Sequence, residues 1–155
     1  MKPVLPLILI ANNAVILVTK GDDLRTASAR ELLRKDPINE RFFDASGRLW
    51  ESEVRSGSFK PTLLNRILAH TFYNPTLEVS RTWKQAGTYA LEELKTQMQN
   101  CIDKDDDVLT QWVDATSLKA KLEKCRQFSD IVTMLSAYVF EPDEEKIWQE
   151  FPLDE

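Results

Sequence analysis

A single histidine, four glycines and two cysteines among 155 residues leave little material for several kinds of chemistry. The lone His70 would have to serve as base in any Ser-His-Asp or Cys-His arrangement, yet no Gly-x-Ser-x-Gly turn presents a nucleophile to it. At the end of a helical pattern, His70 is expected to sit near the negative end of the helix dipole. Gly21, Gly47, Gly57 and Gly87 stand apart, and neither a Walker-type nor a dinucleotide-type glycine loop occurs. Cys101 and Cys125 lack Cys-x-x-Cys spacing and, with one imidazole, cannot complete a tetrahedral zinc site without carboxylates. Both fall in leucine-rich helical patterns and are expected to be buried, reduced thiols rather than a disulfide or a metal pair.

Positive charge in excess is also missing. The formal net charge is −5, against the basic footprint that a nucleic-acid binder normally carries. The imbalance is one-sided: residues 1–80 hold 11 Lys+Arg against 9 Asp+Glu, and residues 81–155 hold 9 against 16. Hydrophobic runs are short. Lys2 followed by Val4, Leu5 and Leu7 to Ile10 has the outline of a signal h-region, but Pro3 and Pro6 interrupt it and no small-x-small site follows. It falls well short of the roughly 20 apolar residues of a membrane span, so a buried strand, a cytoplasmic chain and no membrane partner are expected.

What is present is an ordinary globular composition, 43% hydrophobic and 29% charged, at a length that predicts one domain. Runs over 4–11 and 14–19 flank Asn12-Asn13, whose tolerance of positive φ suits a two-residue hairpin. Their continuous apolar character predicts two central strands, with Leu7, Leu9, Ile16 and Val18 buried. Thr26 to Lys35 patterns as an amphipathic helix with a Ser28-x-x-Glu31 box, ended by Asp36-Pro37. Glu40 to Asp44 and Arg48 to Arg55 flank Asp44-Ala45-Ser46-Gly47 as a second hairpin, its imperfectly alternating second strand expected nearer an edge.

After Ser56-Gly57-Ser58 the pattern turns mainly helical. Pro61 opens a helix that Asn74-Pro75 stops, and Thr76 to Trp83 is a candidate fifth strand. Helices are predicted over 90–102, 108–113, 118–126 and 129–139. The expected architecture is α+β: one domain over 1–155, sheet-rich in 1–56 and mainly helical in 57–155. In it a small antiparallel sheet from two hairpins, with one intervening helix, packs against a C-terminal group of helices.

Asp103-Lys104-Asp105-Asp106-Asp107 with Asp114 has the spacing of a calcium loop, but Val108 replaces its turn glycine and Asp114 its bidentate Glu. Acids that cap a helix starting near Val108 explain the run more simply, so no metal and no cofactor are expected. The carboxylate pairs Glu51/Glu53 and Glu92/Glu93 lack a cleft signature and are expected on solvated surfaces. Of Trp50, Trp83, Trp112 and Trp148, the last two lie among acids, as interface anchors do.

The hairpin, helix and hairpin carrying Phe42-Phe43-Asp44-Ala45-Ser46-Gly47-Arg48-Leu49, on a small acidic chain without a catalytic set, resembles small bacterial toxin-immunity proteins. The resemblance covers the first third of the chain and assigns no residue a role. It implies a non-enzymatic cytoplasmic inhibitor that occludes a basic toxin such as a nuclease. The expected partner-binding residues, from charge and aromatic placement, are Asp103, Asp105, Asp106, Asp107, Trp112, Asp143, Glu144, Glu145 and Trp148. Two alternatives stand beside this one: an adaptor or assembly subunit docking through its helical half, and an enzyme without a recognisable motif. Oligomeric state has no signature in the sequence.

Overall fold

The computed structural model describes residues 1–28, 40–55, 76–105 and 107–152. It is an α+β fold. A five-stranded antiparallel sheet is built from β1 (Leu7–Ala11), β2 (Ala14–Val18), β4 (Glu40–Asp44), β5 (Arg48–Arg55) and β7 (Ser80–Thr88), in the order β2-β1-β4-β5-β7. A second, two-stranded sheet pairs β3 (Thr26–Ser28) with β6 (Thr76–Glu78). Four helices follow: α1 (Leu91–Asp103), α2 (Ala115–Lys124), α3 (Phe128–Leu135) and α4 (Glu144–Glu150).

Both predicted hairpins form. Ala11 pairs with Ala14 around Asn12, which takes a φ of 54°. Gly47 closes the second hairpin at φ 80°, where a β-carbon is unfavourable. The two hairpins join through β1 and β4, with Leu9 opposite Phe42 and Ile8 opposite Phe43.

Alternation along β1 divides the core. Ile8, Ile10, Val15 and Phe43 face the helices and pack with Leu94, Met98, Leu118, Leu122, Ile131 and Leu135. Leu7, Leu9, Val18, Phe42 and Trp50 make a smaller cluster on the opposite face, bordered by Leu24 and Trp83. Trp83 meets Phe42 edge to face, with centroids 4.9 Å apart.

Local capping sets the helices. Glu93 accepts the Ala90 N–H at 3.0 Å, Asp114 the Ser117 N–H at 2.9 Å, and Asp130 the Arg126 N–H at 2.8 Å. The expected helix over 129–139 divides instead: α3 ends at Leu135 and a π-turn, Ser136–Phe140, follows, with the Glu141 N–H donating to Ser136 O at 2.9 Å.

Four expectations are corrected. Thr26 to Ser28 are strand rather than helix, because they pair with Thr76 to Glu78 some fifty residues away, which local pattern cannot reveal. The rest of that expected helix, the Pro61 helix and His70 lie outside the described residues. β2 is an edge strand, and Ile16 is 44% exposed while Leu7, Leu9 and Val18 are buried. β5 is flanked on both sides, by β4 and by β7, because the Thr76 to Trp83 candidate divides at Val79 into β6, in the second sheet, and the nine-residue β7, which runs on to Thr88 beside β5. Residues 108–113 form turns instead of a helix, because the Asp105 side chain takes up the amides of Val108, Leu109 and Thr110.

Candidate functional site

The residues named for partner binding divide into two groups. Asp103 ends α1 and Asp105 and Asp107 follow it; Asp143 caps α4 and Glu144 and Glu145 open it. No hydrogen bond or ion pair joins the groups among the described residues, and Asp106 lies outside them.

The first group is engaged within the chain. Asp103 pairs with Lys119 on α2 at 2.6 Å. Asp105 accepts from the N–H groups of Val108 (3.3 Å), Leu109 (2.9 Å) and Thr110 (3.0 Å), and from the Thr110 hydroxyl at 3.0 Å. Burial pushes the Asp105 carboxyl up, but these bonds outweigh it and hold it below the ordinary 3.8. Asp107 is exposed, with a φ of 64°. Trp112 is half-buried against the main core, so most of its ring already packs inside the molecule.

The second group faces outward. Asp143 caps α4, accepting the Lys146 N–H at 3.3 Å and pairing with the Lys146 ammonium at 3.7 Å. Ile147 turns into the core. Glu144 and Glu145 stand four and three residues before Trp148, a spacing that puts all three on one helical face. All three are exposed, and Trp148 is 60% accessible. Trp50 is buried and Trp83 half-buried, so Trp148 is the one described tryptophan turned mainly to solvent. Glu150, on the same helix, ties α4 to α2 through Lys121 and accepts the Tyr138 hydroxyl at 2.7 Å.

Sequence reasoning missed Arg81, which bridges distant segments. Its Nε donates to Leu24 O at 3.0 Å, and its terminal nitrogen donates to Ser52 Oγ at 2.9 Å and reaches Glu40 at 3.4 Å. The guanidinium lies 5.8 Å from the Phe42 ring centroid. Its partners are 29 to 57 positions away, which leaves no local signal. Arg81 also borders two clefts on the face away from α1 to α4. One, about 740 Å³, is lined by Lys2, Leu5, Arg25, Glu78 and Trp83 among others, and the second, about 670 Å³, by Leu9, Ile16, Val18 and Glu40 among others.

Cys101 and Cys125 are free and buried, and burial pushes both thiols up. Among the described residues no group of three or more His, Cys, Asp or Glu is placed to hold a metal ion. None of their helices is long and apolar enough to cross a membrane. No protein family, curated protein or solved structure matches the chain.

Proposed function

We propose that this chain is a non-enzymatic binding protein that neutralises a basic protein partner, in the manner of an immunity protein occluding a cationic toxin such as a nuclease. The observation that carries the reading is Trp148, 60% exposed on a helical face that also presents Glu144 and Glu145. A large aromatic held in water is unfavourable in isolation and becomes favourable when a partner covers it. The carboxylates beside it select for positive charge and speed encounter. Asp103 and Asp143 are already paired with Lys119 and Lys146 and Asp105 is occupied with its own loop, so Glu144 and Glu145 carry the charge at this surface.

The test begins with recovery of the partner from the native host, followed by binding kinetics against salt. Reversing Glu144 and Glu145 to Lys is expected to slow association and flatten its salt dependence. Trp148→Ala is expected to speed dissociation. Trp148→Ala should melt with the wild type, because the side chain is exposed, while the double reversal should lose no more than about 2 kcal/mol, the cost of placing two cations at the positive end of the α4 dipole. An acidic partner, or affinity unmoved by both changes, overturns the proposal.

A further inference from the structure

The cleft of about 670 Å³ beside β2 combines an apolar floor with an unspent negative charge. Leu9 and Val18 are buried in it, Leu24 is half-buried, and Ile16 borders it 44% exposed, so solvent reaches the floor. Two carboxylates line the same space: Asp23, from the 3₁₀ turn Gly21–Leu24, and Glu40, at the start of β4. Arg81 draws these two segments together, because it holds Leu24 O at 3.0 Å and Glu40 at 3.4 Å.

The cations nearby leave Asp23 uncompensated. Arg81 is the only cation among the described residues that line this cleft. It is spent on Leu24, Glu40 and Ser52 Oγ, with its side chain 12% exposed. Arg25 pairs with Asp22 at 3.4 Å, and Lys20 is exposed outside the cleft. Among the described residues the Asp23 carboxylate makes no hydrogen bond or ion pair. The adjoining cleft, which shares Leu24, Thr26 and Arg81, has the reverse balance, with Lys2, Arg25 and Arg81 against Asp22 and Glu78.

We propose that the cleft beside β2 binds a small amphiphilic amine, its alkyl or aryl body laid over Leu9, Ile16, Val18 and Leu24 and its ammonium at Asp23, within the field of Glu40. Both halves of the ligand are required. An ammonium without an apolar body gains only a surface ion pair, which is worth little in water. An apolar body ending in a carboxylate would bring a third negative charge beside Asp23 and Glu40, against one spent cation. The volume lies within the range of small-molecule pockets. The cleft reaches the Asn12-Asn13 turn and runs beside the five-residue β2, roughly 17 Å long, which suits a compact ligand. It lies on the face away from α1 to α4, so the proposal does not rest on the reading of Trp148.

Titration of the whole chain with n-octylamine at neutral pH, followed by amide resonances in ¹H–¹⁵N spectra, tests the site. The amides of Leu9, Ile16, Val18 and Asp23 should shift and saturate as one site, with a dissociation constant of about 1 mM, while those of α1 to α4 stay in place. Propylamine and octanoate at equal concentration should leave the same amides unmoved. Asp23→Asn should raise the dissociation constant about threefold or more. Glu145→Gln, which removes the same charge from α4, should leave it unchanged. No saturation below about 10 mM, equal binding of propylamine or octanoate, shifts centred on the helices, or equal effects of the two substitutions overturns the proposal.

Discussion

The indole N–H of Trp50 donates to Oδ2 of Asp44 at 2.7 Å, with both side chains buried at the centre of the sheet. Asp44 ends β4 and Trp50 stands two residues into β5, so this bond ties the hairpin below its turn. The opposite oxygen accepts from Ser46 N (2.9 Å), Ser46 Oγ (2.7 Å) and Arg48 N (3.0 Å), and Val4 N approaches Oδ2 at 3.4 Å. A carboxylate is the only side chain of this size that accepts on both oxygens without offering a donor.

Asp44→Asn tests that arrangement. Its amide nitrogen would face either the indole N–H or the Ser46 and Arg48 amides, leaving buried donors unpaired at a cost of about 1–3 kcal/mol. The variant also titrates differently. Burial pushes the Asp44 carboxyl up, but the bonds from Ser46, Arg48, Trp50 and Val4 outweigh it and hold it below the ordinary 3.8. A folded-state value below the unfolded one adds stability above about pH 4, and that stability is lost as pH falls through the folded value. Urea titrations between pH 7 and pH 2 should show a shallower acid-side decline for the Asn variant than for the wild type. Parallel declines would remove Asp44 from the acid response.

Gly47 makes a separate prediction from the same turn. Its φ of 80° places it where an L side chain is strained, although no atom lies within 4 Å of a β-carbon built there. Gly47→Ala should therefore cost about 1–2 kcal/mol through backbone conformation alone. Chemical denaturation checks this value, and an unchanged midpoint would show that the turn relaxes.

Leu9 and Ile16 are register partners across the first hairpin, on one face of the sheet, with accessibilities of 8% and 44%. Leu9→Ala should cost about 2–5 kcal/mol, as core truncations do. Ile16→Ala, measured on dilute protein, should stay within about 1 kcal/mol, nearer the surface range. Equal melting-point losses would contradict the edge position of β2.

That pair also shows how far local pattern reaches. Hairpins, their turn residues and the apolar stripes of α1, α2 and α3 are decided by neighbours in sequence, and they were legible there. Which strand lies at an edge depends on pairings such as Leu9 with Phe42 and Trp50 with Gln85, which span tens of residues. Thr26 to Ser28 were misassigned for that reason, and Arg81 went unnoticed for the same one. At the candidate surface, composition located the acids but not their engagement: Asp105 and Glu144 are alike in the sequence, yet one binds its own loop and the other faces water. Only the fold separates Trp112, packed against the core, from Trp148.

Asp105 supplies the last prediction. Asp105→Ala would release the amides of Val108, Leu109 and Thr110, in a loop that places Leu109 and Val113 in the main core. A loss of about 1–3 kcal/mol is expected for groups deprived of their acceptor. Its lowered carboxyl makes this contribution acid-labile in the same sense as Asp44: present at neutral pH, lost below about pH 4. The same geometry bears on calcium. Asp103, Asp105 and Asp114 already hold Lys119, the loop amides and Ser117, so an ion would have to displace bonds of 2.6 to 3.3 Å that the folded chain makes itself. Melting curves in chelator and in millimolar calcium should superimpose, because a ligand that binds only the native state raises stability by mass action. A calcium-dependent rise in the wild type, abolished by Asp105→Ala, would show that the loop exchanges its own hydrogen bonds for the ion.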